Sequence, residues 1–198
     1  LHQHHPDHKL VVRNLAWPAD EVDLMPRPDN FGDLDQHLHY FKADLIIAAY
    51  GYNESFAGKE GLPAFKERLD KFLTHLKSHA YNGKSAPQIV LLSPAASENI
   101  AAVNAADRNN ENLTNYTRAL AESAKKHSIG FANVFDGTKA EIFVSKRVQR
   151  TIDGHQNNLQ GHQRFANVAF KALFDKDPTA LNEDLRQLVV DKATQFHY

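Results

Sequence analysis

Asp44-Leu45-Ile46-Ile47-Ala48-Ala49-Tyr50-Gly51-Tyr52-Asn53-Glu54-Ser55-Phe56-Ala57-Gly58 is the stretch whose reading decides the fold. It begins as an apolar run too short for an ordinary helix and ends in a polar turn bracketed by Gly51 and Gly58. That pattern predicts a buried strand delivering Asn53 and Glu54 to its C-terminal edge. In an open α/β sheet, ligands bind at that edge.

Upstream of it, Phe31, Leu34, Leu38 and Phe41 recur at helical spacing, and Asp33 and Asp35 stand early, where a helix dipole favours acids. Before that, Glu21 to Asn30 is a loop punctuated by Pro26 and Pro28. Lys9 to Ala16 is a branched, apolar run that predicts a strand, closed by Trp17-Pro18-Ala19-Asp20. Downstream, Gly61 to His79 aligns Leu62, Phe65, Leu69, Phe72, Leu73 and Leu76 on one helix face, with Pro63 in the first turn. Gln88 to Leu92 predicts a strand ended by Pro94, and Asp107 to His127 a polar helix with the narrow stripe Leu113, Tyr116, Leu120 and Ala124.

Gly130 to Asp136 then predicts a strand and Ala140 to Val148 a helix. Leu159 to Phe174 follows as a helix with Phe165, Val168, Ala169, Leu173 and Phe174 inward, and Pro178 to Phe196 as a last one through Leu181, Leu185, Leu188 and Val189. Strands alternating with helices predict a parallel sheet covered on both faces, a three-layer α/β/α architecture of flavodoxin-like type. Residues 1–8 read as a flexible His-rich end, 9–175 as one domain and 176–198 as a helical extension ending in the aromatics Phe196 and Tyr198.

The 198 residues suit one such domain. A net charge of -1 gives no electrostatic reason to expect nucleic acid or an anionic membrane, and no apolar run approaches the ~20 residues of a membrane span. A small neutral substrate fits better. With no cysteine, thiolate catalysis and thiolate metal sites are excluded. His2, His4, His5 and His8 lie on no rigid element, and His75 with His79 has i, i+4 spacing without a third ligand nearby in sequence. Both groups read as solvated histidines, so neither a metal nor an organic cofactor is expected.

Gly58-Lys59 is too far from Gly51 for a phosphate loop, and Glu60 stands where a magnesium-binding hydroxyl belongs. No Gly-x-Gly-x-x-Gly and no Gly-x-Ser-x-Gly occurs, which disfavours dinucleotide binding and the α/β-hydrolase elbow.

What remains is Gly51-Tyr52-Asn53-Glu54 after one strand, Asp153-Gly154-His155-Gln156-Asn157 in a late loop before a helix, and Asn14 to Asp20 after an early strand. Together these resemble the SGNH (GDSL-like) hydrolase family across residues 9 to 175, the Asn53 motif being the most specific part. The resemblance implies a three-layer esterase or carbohydrate deacetylase with a Ser/His/Asp triad. Its oxyanion hole is built from the serine N–H, a glycine N–H and an asparagine side chain. Asn53 matches the oxyanion asparagine. Ala19 stands at the oxyanion glycine; it keeps the N–H but adds a methyl.

In the late loop the family's Asp-x-x-His spacing runs from Asp153 to Gln156, which cannot exchange a proton, while His155 lies one residue early and is followed by Asn157. The sequence leaves two arrangements: His155 as base oriented by Asp153 after a one-residue slip, or Gln156 facing the site. The Gly-Asp-Ser block of the family, which follows its first strand, has no match. Ser55 and Ser93, the local serines at strand ends, read as turn hydroxyls. A missing first strand leaves ladder groups unpaired, so the chain is expected to be part of a longer, multidomain protein. The functional expectation is an SGNH-type esterase domain, acting on a small-molecule or carbohydrate ester, without its nucleophile. The alternatives are a non-catalytic ligand- or carbohydrate-binding module on the same fold and an unrelated flavodoxin-like binding domain.

Overall fold

The computed structural model describes residues 1–101, 104–144 and 148–197. Residues 17–176 form one compact unit, and residues 1–16 with 177–198 form another.

In the larger unit, α1 (Leu34–Phe41) starts at a capping box. The Asp33 carboxylate accepts from the Gln36 N–H at 2.8 Å, and the Gln36 side-chain oxygen accepts from the Asp33 N–H at 3.0 Å. It leads into β1 (Leu45–Ala49), which is followed by α2 (Leu62–Lys77), β2 (Gln88–Leu92), α3 (Ala106–His127), β3 (Gly130–Ala132), α4 (Val134–Val144) and α5 (Leu159–Phe174). The strands are parallel in the order β1-β2-β3, with Leu45 to Ala49 opposite Gln88 to Leu92 and Val90 to Leu92 opposite Gly130 to Ala132.

The period of two along β2 divides the core between two faces. Val90 and Leu92 join Ala132 and Val134 against the α5 residues Phe165, Val168, Ala169, Ala172 and Leu173. Ile89 and Leu91 are buried on the other face. There α2 and α3 pack on one another, with the Phe65 and Tyr116 rings 5.0 Å apart. Phe65, Leu69, Leu73 and Leu76 of α2 and Leu113, Tyr116, Leu120 and Ala124 of α3 are buried. The fold is therefore the expected three-layer α/β/α arrangement on a flavodoxin-like parallel sheet.

Two predicted elements differ. Lys9–Ala16 forms no strand, and Val11 and Val12 are 63% and 59% exposed. Branched residues favour a strand only where a neighbour supplies the ladder and a surface to pack on. Accordingly the described sheet begins at β1, and Leu45 and Ile47 stay 50% and 44% exposed along it. The third strand stops at Ala132, and α4 begins at Val134 instead of near Ala140. Ser93 Oγ accepts from the Val134 and Phe135 N–H groups, both at 2.9 Å, and Asn133 Oδ1 accepts from the Asp136 N–H at 3.1 Å. These acceptors capture donors that a helix start leaves free. Residues 145–147 of the predicted Ala140–Val148 helix lie outside the described residues.

In the smaller unit, the Gln3 amide donates to Thr179 Oγ1 and the Ala180 carbonyl, each at 2.8 Å. The helix α6 (Glu183–His197) starts later than Pro178 because Asn182 Oδ1 accepts from the Leu185 N–H at 2.9 Å. Leu181, Leu188 and Val189 of its predicted stripe are exposed. Tyr198 and the Phe196 side chain lie outside the described residues. No described helix is long and apolar enough to cross a membrane.

Candidate active site

The turn after β1 depends on Gly51, whose φ of +102° reverses the chain where a side chain is disfavoured. The Glu54 carboxylate, itself buried, accepts from the Gly51 N–H at 2.9 Å and from the Val22 N–H at 3.0 Å. It thereby ties the 20–24 segment to the end of β1. Glu54 also stands in the first turn of the short 3-10 segment Glu54–Ala57. Tyr50 donates its hydroxyl to Met25 Sδ at 3.6 Å. Burial, with help from Asp20 and Glu54, pushes its phenol up to about 12.

The stapled segment brings Ala19 and Asp20 to Asn53. The Asp20 N–H donates to the Trp17 carbonyl at 3.3 Å, closing a turn with Pro18 second and Ala19 third at φ +67°. That is the type II geometry, whose third residue is usually glycine. Ala19 thus sits in a conformation that glycine adopts more readily. Asp20 holds Arg27 through two bonds of 2.7 and 2.8 Å, and the Arg27 guanidinium lies 4.8 Å from the Trp17 ring. Asn53 Nδ2 reaches the Asp20 carbonyl at 3.4 Å, so the amide already points at the Ala19-Asp20 backbone.

Beside Asn53 is a cavity of about 500 Å³, lined by Glu21, Phe56, Ala57, Arg68 and Tyr116 among others. Ser55 Oγ donates to the Tyr52 carbonyl at 2.6 Å, and Ser93 Oγ is the α4 cap. Both serines serve as turn hydroxyls.

The late loop is fastened by a second glutamate. Glu98 Oε2 accepts from the N–H groups of Arg150 and Thr151, each at 2.9 Å, and from Thr151 Oγ1 at 2.7 Å. The Glu98 N–H donates to the Gly154 carbonyl at 2.8 Å. Gly154 has φ +94°, and a Cβ there would lie 2.8 Å from the Glu98 carbonyl oxygen, so the close approach requires glycine.

Asp153 Oδ1 accepts from the N–H groups of His155 (2.9 Å) and Gln156 (2.6 Å). These bonds, the Gln156 one foremost, hold the exposed carboxyl below its ordinary range. The carboxylate so shapes the turn, and the His155 ring nitrogen Nδ1 is buried without a hydrogen-bond partner.

That ring stacks on Tyr52 at 3.2 Å between centroids and 10° between planes, whereas Gln156 is exposed. The imidazole therefore meets the residue next to Asn53. Burial lowers its pKa, opposed by the Asp153 charge, so it is neutral and able to accept a proton at neutral pH. Burial likewise raises the Tyr52 phenol, with the Ser97 hydroxyl opposing and Asp153 adding. Ser97 Oγ is buried and makes no hydrogen bond of normal geometry.

The structure thus brings Asn53, Ala19 and His155 to the C-terminal edge of the sheet and leaves Asp153 bonded to backbone. Tyr52, Ser97 and Glu98 are additions that sequence reasoning missed. Tyr52 lay in the Asn53 motif and could have been found there; Glu98 lies in an irregular segment and gave no signal. Among the described residues, the grouping of three metal-ligating side chains within reach of one ion lies elsewhere and contains none of these residues.

With its parallel three-layer sheet, this chain has the fold of SGNH (GDSL-like) hydrolases. Among solved structures it is similar to the acetylxylan esterase Axe2 from Geobacillus stearothermophilus. There the identity is 17% over 69% of this chain and 62% of that one, at a TM-score of 0.52. It is also similar to a GDSL-like lipase from Parabacteroides merdae, at 20% identity, 70% and 63% coverage and a TM-score of 0.56. A third is BT4096, a gut microbial diltiazem-metabolizing enzyme, at 15% identity, 66% and 33% coverage and a TM-score of 0.53. The chain spans 62% to 65% of the Axe2 and lipase structures and a third of the last. No family model and no curated protein matches it by sequence.

Proposed function

We propose that this chain is an SGNH-type esterase domain acting on an acyl ester, an O-acetylated carbohydrate being the favoured class. The observation that carries the proposal is the Tyr52–His155 stack, which sets a neutral, desolvated imidazole one residue from Asn53. In this reading Asn53 Nδ2 and the Ala19 N–H receive the charge that develops on the substrate carbonyl oxygen. His155 takes the proton from a serine hydroxyl as that oxygen attacks the acyl carbon, then returns it to the leaving alcohol. Asp153 keeps the loop in shape and adds negative charge near the ring. The cavity beside Asn53 receives the acyl or sugar group. No metal or organic cofactor enters the reaction.

The nucleophile is the remaining requirement. Ser55 and Ser93 are committed to backbone groups, so neither supplies it, and this reading takes the serine from a further segment of a longer parent protein. The same commitment favours a second reading, a carbohydrate-binding module on this fold. Assay of p-nitrophenyl acetate hydrolysis by the chain, and by a longer form carrying a serine at the Asn53 edge, separates the two. Turnover by the longer form that falls about 100-fold in kcat in Asn53→Ala supports the esterase. No turnover with that serine in place overturns it in favour of binding.

A further inference from the structure

The opposite, N-terminal edge of the sheet carries a second polar cluster. α1 feeds the start of β1 there, and α2 ends there before the chain returns to β2. Asp35 and His39 lie four residues apart on α1, and His75 in the last turn of α2 lies four residues before His79, just past the helix end. One ligand atom each from Asp35, His75 and His79 lie within 4.8 Å of one another. The carboxylate thus comes from a different helix, forty residues away in sequence from His75.

We propose that Asp35, His75 and His79 bind a divalent transition-metal ion, zinc being the best match, and that the ion clamps α1 to α2. Two imidazoles and one carboxylate are a zinc donor set with room for water in the remaining position. Zinc–ligand bonds of about 2.0–2.2 Å place donor atoms roughly 3.3 Å apart in a tetrahedral site. Here Asp35 Oδ2 and His75 Nε2 are 2.7 Å apart, joined by a proton that the metal would replace. These side chains are 32% and 48% exposed, so they can open by a few tenths of an ångström without disturbing the core.

Supporting contacts of the kind that orient metal ligands are already made. Tyr81, buried beside His39 and His79, donates its hydroxyl to the other oxygen, Asp35 Oδ1, at 2.6 Å. His79 Nδ1 lies 2.9 Å from the His75 carbonyl; donation there leaves the lone pair on Nε2. The Tyr81 ring stacks on His79 at 5.5 Å and 14°, and His39 borders both, 6.4 Å from His79 and 4.9 Å from Tyr81 between centroids. An accidental ion pair needs one contact; here both the carboxylate and an imidazole are held from behind. The site is remote from the Asn53 edge and independent of the proposed hydrolysis.

The test titrates Zn²⁺ against a chromogenic chelator and follows Co²⁺ by its visible d–d bands. It uses the whole chain with His2, His4, His5 and His8 changed to Gln, which removes the other histidine-rich tract. One ion per chain is expected, with thermal stabilisation by Zn²⁺ and a loss of at least tenfold in affinity in His79→Gln and in Asp35→Asn. His79→Gln leaves the Tyr81–Asp35 bond intact, and matching circular dichroism before metal addition shows that the variant folds. No one-to-one binding once the tract is removed, or a change of less than tenfold in His79→Gln, overturns the site.

Discussion

The two loops that meet at the C-terminal edge are each fastened by one buried glutamate, and they differ in what is left unsatisfied. On the early side Glu54 receives the Val22 and Gly51 N–H groups and Asn53 Nδ2 reaches the Asp20 carbonyl. On the late side Glu98 holds Arg150 and Thr151, yet the buried His155 Nδ1 has no hydrogen-bond partner and the buried Ser97 Oγ makes no hydrogen bond of normal geometry. Buried polar atoms without partners are costly and scarce. The difference therefore divides the edge into a finished scaffold that presents donors and an unfinished half where a reacting group has polar atoms to meet.

The largest effect expected from breaking this comparison is in Glu54→Ala. Two buried N–H groups lose their acceptor, each costing roughly 1–3 kcal/mol, so urea unfolding should show a loss of about 3 kcal/mol. If the loss is under about 1 kcal/mol, water reaches the staple and the early side is not the finished half. Glu98→Ala removes more hydrogen bonds but from a loop nearer solvent, and about 2 kcal/mol is expected. Amide exchange should localise that loss to residues 150–156, with β1 to β3 still protected. Exchange rising equally in the sheet would show that the two halves are one cooperative unit.

Ala19→Gly acts in the other direction. A non-glycine residue in the left-handed region costs about 1–2 kcal/mol, partly offset by the greater freedom of glycine in the unfolded chain. A gain of about 0.5 kcal/mol is expected, with the thermal midpoint as the readout. A loss would mean that the methyl makes contacts that outweigh its strain.

The scaffold was more legible in sequence than the unfinished half, and for physical reasons. α2, α3 and α5 each place apolar residues at a period that only one face satisfies, so their spans and their buried stripes, half-buried in α5, follow from spacing. β1 and β2 are short apolar runs bounded by turn residues. By contrast, Val11-Val12 and Val134-Phe135 have strand propensity that the fold overrides. The first pair lacks a ladder, and the second is captured by Ser93, forty-one residues from Val134. Asn53 and Ala19 could be placed because a strand end and a proline turn fix them locally. The Glu98 clamp, the Tyr52–His155 stack and the approach of Asp35 to His75 join segments distant in sequence, and no local pattern encodes such a contact. Asp153 shows the limit from the other side: the resemblance offers it as a ring-orienting acid, and the shorter path to two backbone N–H groups takes the carboxylate instead.

The smallest effect is the most informative about the late half. Burial depresses the His155 pKa, so between its folded value and the ordinary value of about 6.5 the unfolded chain binds more protons than the folded one. The contribution of His155 to stability is then fully present above about pH 6.5 and declines as pH falls through the folded pKa. His155→Gln should flatten that part of the stability profile, and the ring protons should titrate below 6.5 in NMR. Asp153→Asn sharpens the test. Its side-chain oxygen can still accept from the His155 and Gln156 N–H groups, so the turn survives. The negative charge that raises the imidazole pKa is gone, and the titration should move lower still. A midpoint that rises, or does not move, would show that solvent rather than Asp153 sets the field at the ring, and His155 would lose its standing as the desolvated base of this edge.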